Sequence, residues 1–137
     1  MANNRGKNFV VIMLFIAILA LLLRFTIKQT IKATIVQNES KVSAILKSIA
    51  AALENYARDH QSLFPANFAA LLYGPAYLDK NYLTNFPVKG YIFHCLRFES
   101  SGYNCVASPL KCNITGRTVF TITTGGIMLS EECGRRD

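Results

Sequence analysis

The sequence predicts an α+β fold in which one long N-terminal α-helix packs on a small antiparallel β-sheet. Three observations lead to this prediction. The chain contains neither glycine nor proline between Lys7 and Phe64, so no residue in this stretch interrupts a helix. The later part of the stretch has apolar residues at steps of three, four and seven, which is the spacing of one helical face. Two pairs of strand-like segments follow, and their apolar face needs a covering helix.

A basic leader, residues 1–6, precedes an apolar run from Phe9 to Leu23 that is fifteen residues long. A helix of that length rises about 22 Å, against a hydrocarbon core of roughly 30 Å, and Arg24 can cover part of the difference by snorkelling. A cleaved secretory signal is disfavoured because no small-residue cut site follows Leu23. A buried core helix is disfavoured because the run is apolar on every side. We therefore predict that residues 7–24 form a hydrophobic half of the helix, for the membrane or for assembly.

Residues 25–58 are predicted to form the amphipathic half of the same helix. Lysine, asparagine and glutamine lie between the apolar positions, as in a helix that packs one face on a core. An unbroken helix from Lys7 to Arg58 would span about 78 Å. It would extend well beyond a small globule, so its apolar part needs lipid or copies of itself as a partner. The apolar stripe consists of Ile27, Ile31, Ile35, Val42, Ile45, Ile49, Leu53 and Tyr56.

Residues 59–137 are predicted to form the globular region, with a loop followed by the sheet. Pro65 disfavours helical backbone at the residue before it, and residues 79–90 form an irregular connection. Two hairpins are then predicted, because in each case strand-like segments flank a short loop that contains glycine. The first joins Tyr91–Phe98 to Tyr103–Ala107, and the second joins Thr118–Thr123 to Ile127–Leu129.

All four cysteines lie in the last 43 residues, which suggests two disulfides and an oxidising compartment. Their irregular gaps and the lack of a CxxC pair argue against zinc, and we predict no metal site. Three connectivities are open to four cysteines. A four-residue hairpin loop would place Cys95 nearly opposite Cys105, so we favour a Cys95–Cys105 pair together with a Cys112–Cys133 pair.

The net charge of +7 is unevenly distributed. Residues 1–58 contain eight Lys and Arg residues and two acidic residues, whereas residues 59–137 contain seven Lys and Arg residues and six acidic residues. The globular region is therefore nearly neutral, which argues against nucleic acid as a partner. His94 and Cys95 are adjacent, but neighbours on a strand point to opposite faces and do not form a nucleophile pair. With no phosphate loop or carboxylate pair in the sequence, we predict no enzyme activity and no cofactor.

Four segments of the chain resemble those of a known protein family. The leader MANNRG ends in glycine before an apolar run, and the long helix ends in ALENYARDHQSLFPANFAALL. PVKGYIF resembles the family's link into the first strand, and TVFTITTGGIML resembles its last strands. The family that these segments resemble is the type IV pilin and type II secretion pseudopilin superfamily. The resemblance covers nearly the whole chain, and the N-terminal architecture is its most specific part.

This resemblance implies a pilin-like fold and a prepilin that a dedicated membrane peptidase cuts between Gly6 and Lys7, with methylation of the new N-terminus. It also implies partners: homologous pilin or pseudopilin subunits, the prepilin peptidase, an inner-membrane assembly platform and the lipid bilayer. The chain departs from the family at two positions. Lys7 stands where the family usually has an apolar residue, and Val11 stands where it favours a glutamate. The missing glutamate leaves room for a minor or non-major subunit, such as a tip subunit, or for a pilin-like protein that never polymerises.

The expected function is therefore that of a structural subunit of a type IV pilus or a type II secretion pseudopilus, assembled through its N-terminal hydrophobic helix. The alternative is a monomeric, membrane-anchored extracytoplasmic domain for binding or adhesion. The expected location is the bacterial inner membrane, crossed once with the C-terminal domain outside the cytoplasm. After assembly, the protein would belong to a periplasmic or cell-surface filament.

Overall fold

The computed structural model describes residues 4–134, with side chains described from residue 8 onward. It confirms the α+β fold: one long N-terminal helix packs on a four-stranded antiparallel sheet. The elements in chain order are α1 (Asn4–Asp59), a short 3₁₀ helix (Phe68–Leu71), β1 (Tyr91–Glu99), β2 (Gly102–Pro109), β3 (Thr118–Thr123) and β4 (Ile127–Glu132).

The chain divides into two compact units, Met1–Ala33 and Thr34–Asp137. Both contain part of α1, which has 56 residues. The first unit holds the apolar run and its basic flanks. The second unit, called the C-terminal unit below, holds the rest of α1 and the whole sheet.

The core of the C-terminal unit lies between α1 and one face of the sheet. Helix residues at steps of four, three and four face this core and are fully buried. The predicted stripe included Ile45 but omitted Leu46, whereas Leu46 is fully buried and Ile45 is only half-buried. A core-facing stripe on a helix is at least about 100° wide, so neighbouring positions can share it. The fully buried helix residues are Val42, Leu46, Ile49 and Leu53; the sheet contributes Tyr91, Phe93, Tyr103, Cys105, Ala107 and Ile122.

The sheet has the order β1-β2-β3-β4, with every neighbouring pair antiparallel. The strand register places Cys95 directly opposite Cys105. It shifts between Cys95 and Arg97, where a bulge leaves Leu96 70% exposed. In the turn after β3, Gly125 and Gly126 have φ values of +83° and +71°, a conformation that glycine adopts without strain.

The segment between α1 and β1 covers one end of the core. α1 ends at Asp59, and the Ser62 backbone N–H donates to the Ala57 carbonyl at 2.8 Å. Asn67 caps the 3₁₀ helix by accepting a hydrogen bond from the Ala70 N–H. No regular helix or strand is assigned in residues 79–90. Of this segment, Leu71, Leu78 and Tyr82 belong to the core.

Candidate functional surface

The most distinctive surface of the chain is the apolar segment of α1, defined here as Phe9–Leu23. Every residue from 8 to 34 is exposed in the structure. Thirteen large apolar side chains within the apolar segment are 49–68% exposed. Burying the exposed half of these thirteen side chains would stabilise the protein by roughly 10–20 kcal/mol. This figure assigns to each side chain half of the 1.5–3 kcal/mol gained when one such side chain is fully buried. A surface of this kind marks a contact with a membrane or with another protein.

The apolar segment has the composition of a membrane span. The most apolar 18-residue window of the helix has a mean hydropathy of 2.8, and none of it is buried. Among the described residues, α1 is the one helix long and apolar enough to span a membrane, and it lies near the N-terminus. Thr26 and Thr30 just beyond the apolar segment donate their hydroxyls to the backbone carbonyls of Leu22 and Thr26. These hydroxyls are therefore satisfied within the helix. The chain is compatible with single-pass anchoring.

The predicted processing site lies at the beginning of α1. The backbone of residues 4–7 is helical, but the side chain of Lys7 falls outside the described part, as do residues 1–3 of the leader. Val11 is 65% exposed. No acidic residue occurs in residues 1–38, so this part of the chain offers no carboxylate in place of the one missing at Val11. Cleavage between Gly6 and Lys7 stays a prediction.

The structure joins Cys95 to Cys105 and Cys112 to Cys133, which are the two pairs favoured by the sequence analysis. Cys105 is 1% exposed and belongs to the core, whereas Cys112 and Cys133 are half-buried. The first bridge therefore packs between helix and sheet, and the second ties the end of β4 to the loop before β3. Because Cys95 is bonded to Cys105, its sulfur does not act with His94 as a nucleophile.

Two carboxylates of α1 hold the sheet, and sequence reasoning missed both. One carboxylate oxygen of Glu39 accepts hydrogen bonds from the backbone N–H groups of Arg117 and Thr118, at 2.7 and 3.0 Å. One oxygen of Glu54 accepts from the Gly125 backbone N–H at 2.7 Å and from the Tyr103 hydroxyl at 3.0 Å. Glu39 and Glu54 are the two acids in residues 1–58, and their scarcity on a basic helix is the signal that could have identified them.

Replacing Glu54 by alanine is expected to lower the free energy of unfolding of the C-terminal unit by about 1.5–3 kcal/mol. The substitution removes the acceptor of two charge-assisted hydrogen bonds, which are stronger than neutral ones. Urea unfolding of the full chain in detergent measures the change. Glu131→Ala is the matched control, because Glu131 is exposed and we expect a change within about 0.5 kcal/mol there. Equal losses from the two variants would contradict the role of Glu54.

Two buried tyrosines link β2 to α1 and β1 to β3. Burial raises the pKa of the Tyr103 hydroxyl above its ordinary value, and its hydrogen bond to the Glu54 carboxylate raises it further. Burial also raises the pKa of Tyr91, to about 12, with a smaller contribution from the Glu39 charge. The Tyr91 hydroxyl donates to the Thr118 carbonyl at 2.9 Å. Both phenols are therefore held in their neutral form in the folded state.

We expect the C-terminal unit to lose stability as the pH rises above about 10, the unperturbed tyrosine pKa. A folded-state pKa above the unfolded one stabilises the fold fully below the unfolded pKa, and this stabilisation is lost as the pH rises through the folded pKa. Thermal unfolding at pH 8, 10 and 11 measures the effect. Tyr103→Phe should flatten the alkaline decline, whereas the exposed Tyr73→Phe should leave it unchanged. A decline equal in all three proteins would contradict the assignment to Tyr103.

The connection between α1 and β1 contains two kinds of aromatic residue, buried and exposed. Tyr82 is in the core and its hydroxyl contacts the Asp79 carboxylate, while the Tyr77 hydroxyl donates to Asp59 at 2.6 Å. Tyr73 and Phe86 are instead 77% and 80% exposed. This segment thus both covers the sheet and leaves two aromatic side chains at the surface.

The C-terminal unit has shallow cavities of about 240 and 310 Å³. Ligand pockets usually enclose about 300–1,000 Å³ and have a mainly apolar lining. Within the described residues no group of three or more His, Cys, Asp or Glu side chains is placed to hold a metal ion. The first cavity is lined by Asn113, Arg117, Glu132 and Cys133, and the second by Glu54, Ala57, Arg58, Ser62 and Phe64.

Comparisons with protein-family models, with curated proteins and with solved structures find no match to this chain.

Proposed function

We propose that this chain is a structural subunit of a type IV pilus or a type II secretion pseudopilus. The observation that carries the proposal is the apolar segment Phe9–Leu23, which is exposed along its whole length and continues without a break into the core helix of an α+β unit. A helix of this kind needs an apolar partner on all sides. Lipid supplies one before assembly, and sister helices supply one in a filament.

In this proposal the two units of the chain have different roles. The apolar segment provides the contacts between subunits, and the C-terminal unit is displayed outside the cytoplasm. The two disulfides support export of the C-terminal unit, because disulfides persist in oxidising compartments. The partners are homologous subunits, the prepilin peptidase and an inner-membrane assembly platform.

Val11 favours a minor subunit within this class. In the family that the sequence resembles, a glutamate at this position pairs with the N-terminal amine of a neighbouring subunit. A buried amine without that partner is costly, by about 3–5 kcal/mol when one member of a buried pair is removed. An abundant subunit would incur this cost at every contact, whereas a minor one incurs it rarely.

The mass of the mature protein tests the processing step. In cells that contain the peptidase, the proposal predicts that the protein begins at Lys7 and carries one methyl group. Gly6→Leu is the control variant, and it should retain the whole leader. An intact leader on the unaltered protein in such cells would contradict the proposal.

The departures at Lys7 and Val11 favour a second candidate, a monomeric membrane-anchored domain for binding or adhesion. Under this alternative the anchor is uncleaved and no filament forms. If the filament is a surface pilus, electron microscopy of sheared surface material distinguishes the two candidates. The material is labelled with an antibody to the C-terminal unit. Labelled filaments support the subunit, and label confined to membrane fragments supports the anchored domain.

A further inference from the structure

Three basic residues form one stripe on α1 directly after the apolar segment. Arg24, Lys28 and Lys32 lie at steps of four, so each is rotated by about 40° from the one before and all three fall within an arc of about 80°. All three are exposed. We call these residues the basic stripe.

The basic stripe has no counter-ion in its part of the chain. Residues 1–38 contain no aspartate or glutamate. The nearest acid in the sequence, Glu39, accepts hydrogen bonds from two backbone N–H groups of the C-terminal unit. Within residues 8–134, the recorded ion pair joins Arg97 to Glu99 and involves no member of the stripe. The three positive charges are therefore left for an external anion.

The surroundings of the stripe indicate where that anion lies. Arg24 follows the last residue of the apolar segment, and Lys32 lies about 12 Å further along the helix axis. Ile31 and Phe25, which border the stripe on the helix surface, are also exposed, at 36% and 64%. Because the apolar segment rises only about 22 Å, a hydrocarbon core of roughly 30 Å extends past Arg24, and the stripe enters the headgroup layer, about 5–8 Å thick, at Lys28 and Lys32. Its bordering apolar side chains then face the boundary between lipid tails and headgroups.

We propose that the basic stripe binds the phosphate headgroups of anionic phospholipids at the bilayer face where the apolar segment ends. The occupant is a lipid because the stripe continues a segment that itself requires hydrocarbon, and because its charge is complementary to anionic headgroups. The stripe makes the protein selective for an anionic membrane. This inference shares membrane insertion with the proposed function and does not depend on cleavage or filament assembly.

The expected selectivity follows from the charge. Each Lys or Arg near an anionic membrane surface strengthens binding about fivefold. Neutralising Lys28 and Lys32 together should therefore weaken the preference for anionic lipid by up to about 25-fold. Arg24 stays in place in this variant, so a smaller preference should remain.

Native mass spectrometry of the full chain tests the proposal. The protein is held in a zwitterionic detergent and offered equal amounts of phosphatidylglycerol and phosphatidylcholine, and the bound lipids are counted. By the same arithmetic for three charges, the unaltered protein should prefer phosphatidylglycerol by up to about 125-fold. K28Q/K32Q should lose most of this preference. K41Q/K47Q removes the same charge at two exposed helix positions of the C-terminal unit and should keep it.

Three results would overturn the proposal. They are equal binding of the two lipids by the unaltered protein, an equal loss in both double variants, and displacement of phosphatidylglycerol by millimolar inorganic phosphate. The last would indicate a site for free anions. Leader cleavage is scored separately by the mass of the mature protein, so failure of the filament proposal and failure of the lipid proposal give different results.

Discussion

Replacing both Cys112 and Cys133 by alanine is expected to lower the free energy of unfolding of the C-terminal unit by about 3 kcal/mol. The bridge joins residues separated by 21 positions, and closing a loop of that size restricts the unfolded chain by about this amount in the chain-entropy model. Both cysteines are only half-buried, so little packing is lost with the sulfur atoms. The free energy of unfolding of a small domain is about 5–15 kcal/mol, so a loss of about 3 kcal/mol is a large fraction of its stability.

Urea unfolding of the full chain in detergent, followed by near-ultraviolet circular dichroism, measures this loss. Reductant provides the internal control. It should lower the midpoint of the unaltered protein by more than that of C112A/C133A, because only the Cys95–Cys105 bridge remains to be reduced in the variant. A midpoint unchanged by the double substitution would show that this bridge contributes nothing to the stability of the fold.

Replacing Leu46 by alanine is expected to lower the free energy of unfolding by about 2–5 kcal/mol, the range found for leucine-to-alanine changes in well-packed cores. Leu46 is fully buried where α1 covers the sheet. The deletion therefore removes apolar contacts and leaves a cavity that the helix and the sheet close only in part. The same urea experiment measures the effect.

Leu14→Ala is the matched control, because it makes the same chemical change at a helix position that is 62% exposed. We expect it to change the unfolding of the C-terminal unit by less than about 0.5 kcal/mol. If Leu14→Ala were as destabilising as Leu46→Ala, the division into an exposed apolar segment and a packed core helix would be wrong.

The fold was predictable because its signals are local. The absence of glycine and proline from residue 7 to residue 64 indicates the helix, and glycine-containing loops between β-branched and aromatic segments indicate the hairpins. The ends of the strands were less predictable. β4 was predicted to end at Leu129 and continues to Glu132, since Ser130, Glu131 and Glu132 pair with β3 although their own strand propensity is low.

The contacts that fasten the helix to the sheet were not predictable from the sequence. The scarcity of acids on a basic helix marks Glu39 and Glu54 themselves, but their backbone hydrogen-bond partners lie more than seventy positions away, and no local pattern predicts such pairs. The bulge at Leu96 likewise depends on the register between β1 and β2. By contrast, the apolar segment was recognisable from the sequence, because it is apolar on every side of the helix. The globular region is too small to bury such a run, so its exposure could also be predicted.

Photo-cross-linking tests the proposal that function resides in contacts between apolar helices. A photoreactive amino acid replaces Phe15, which is 67% exposed in the middle of the apolar segment. The protein is irradiated in cells of its source that make the peptidase and the assembly platform. Gly6→Leu, combined with the same replacement, provides the unprocessed control. We expect cross-links to further copies of the chain or to other subunits with the same kind of helix, identified by mass spectrometry and lost in the control. Monomer alone in both proteins would contradict it.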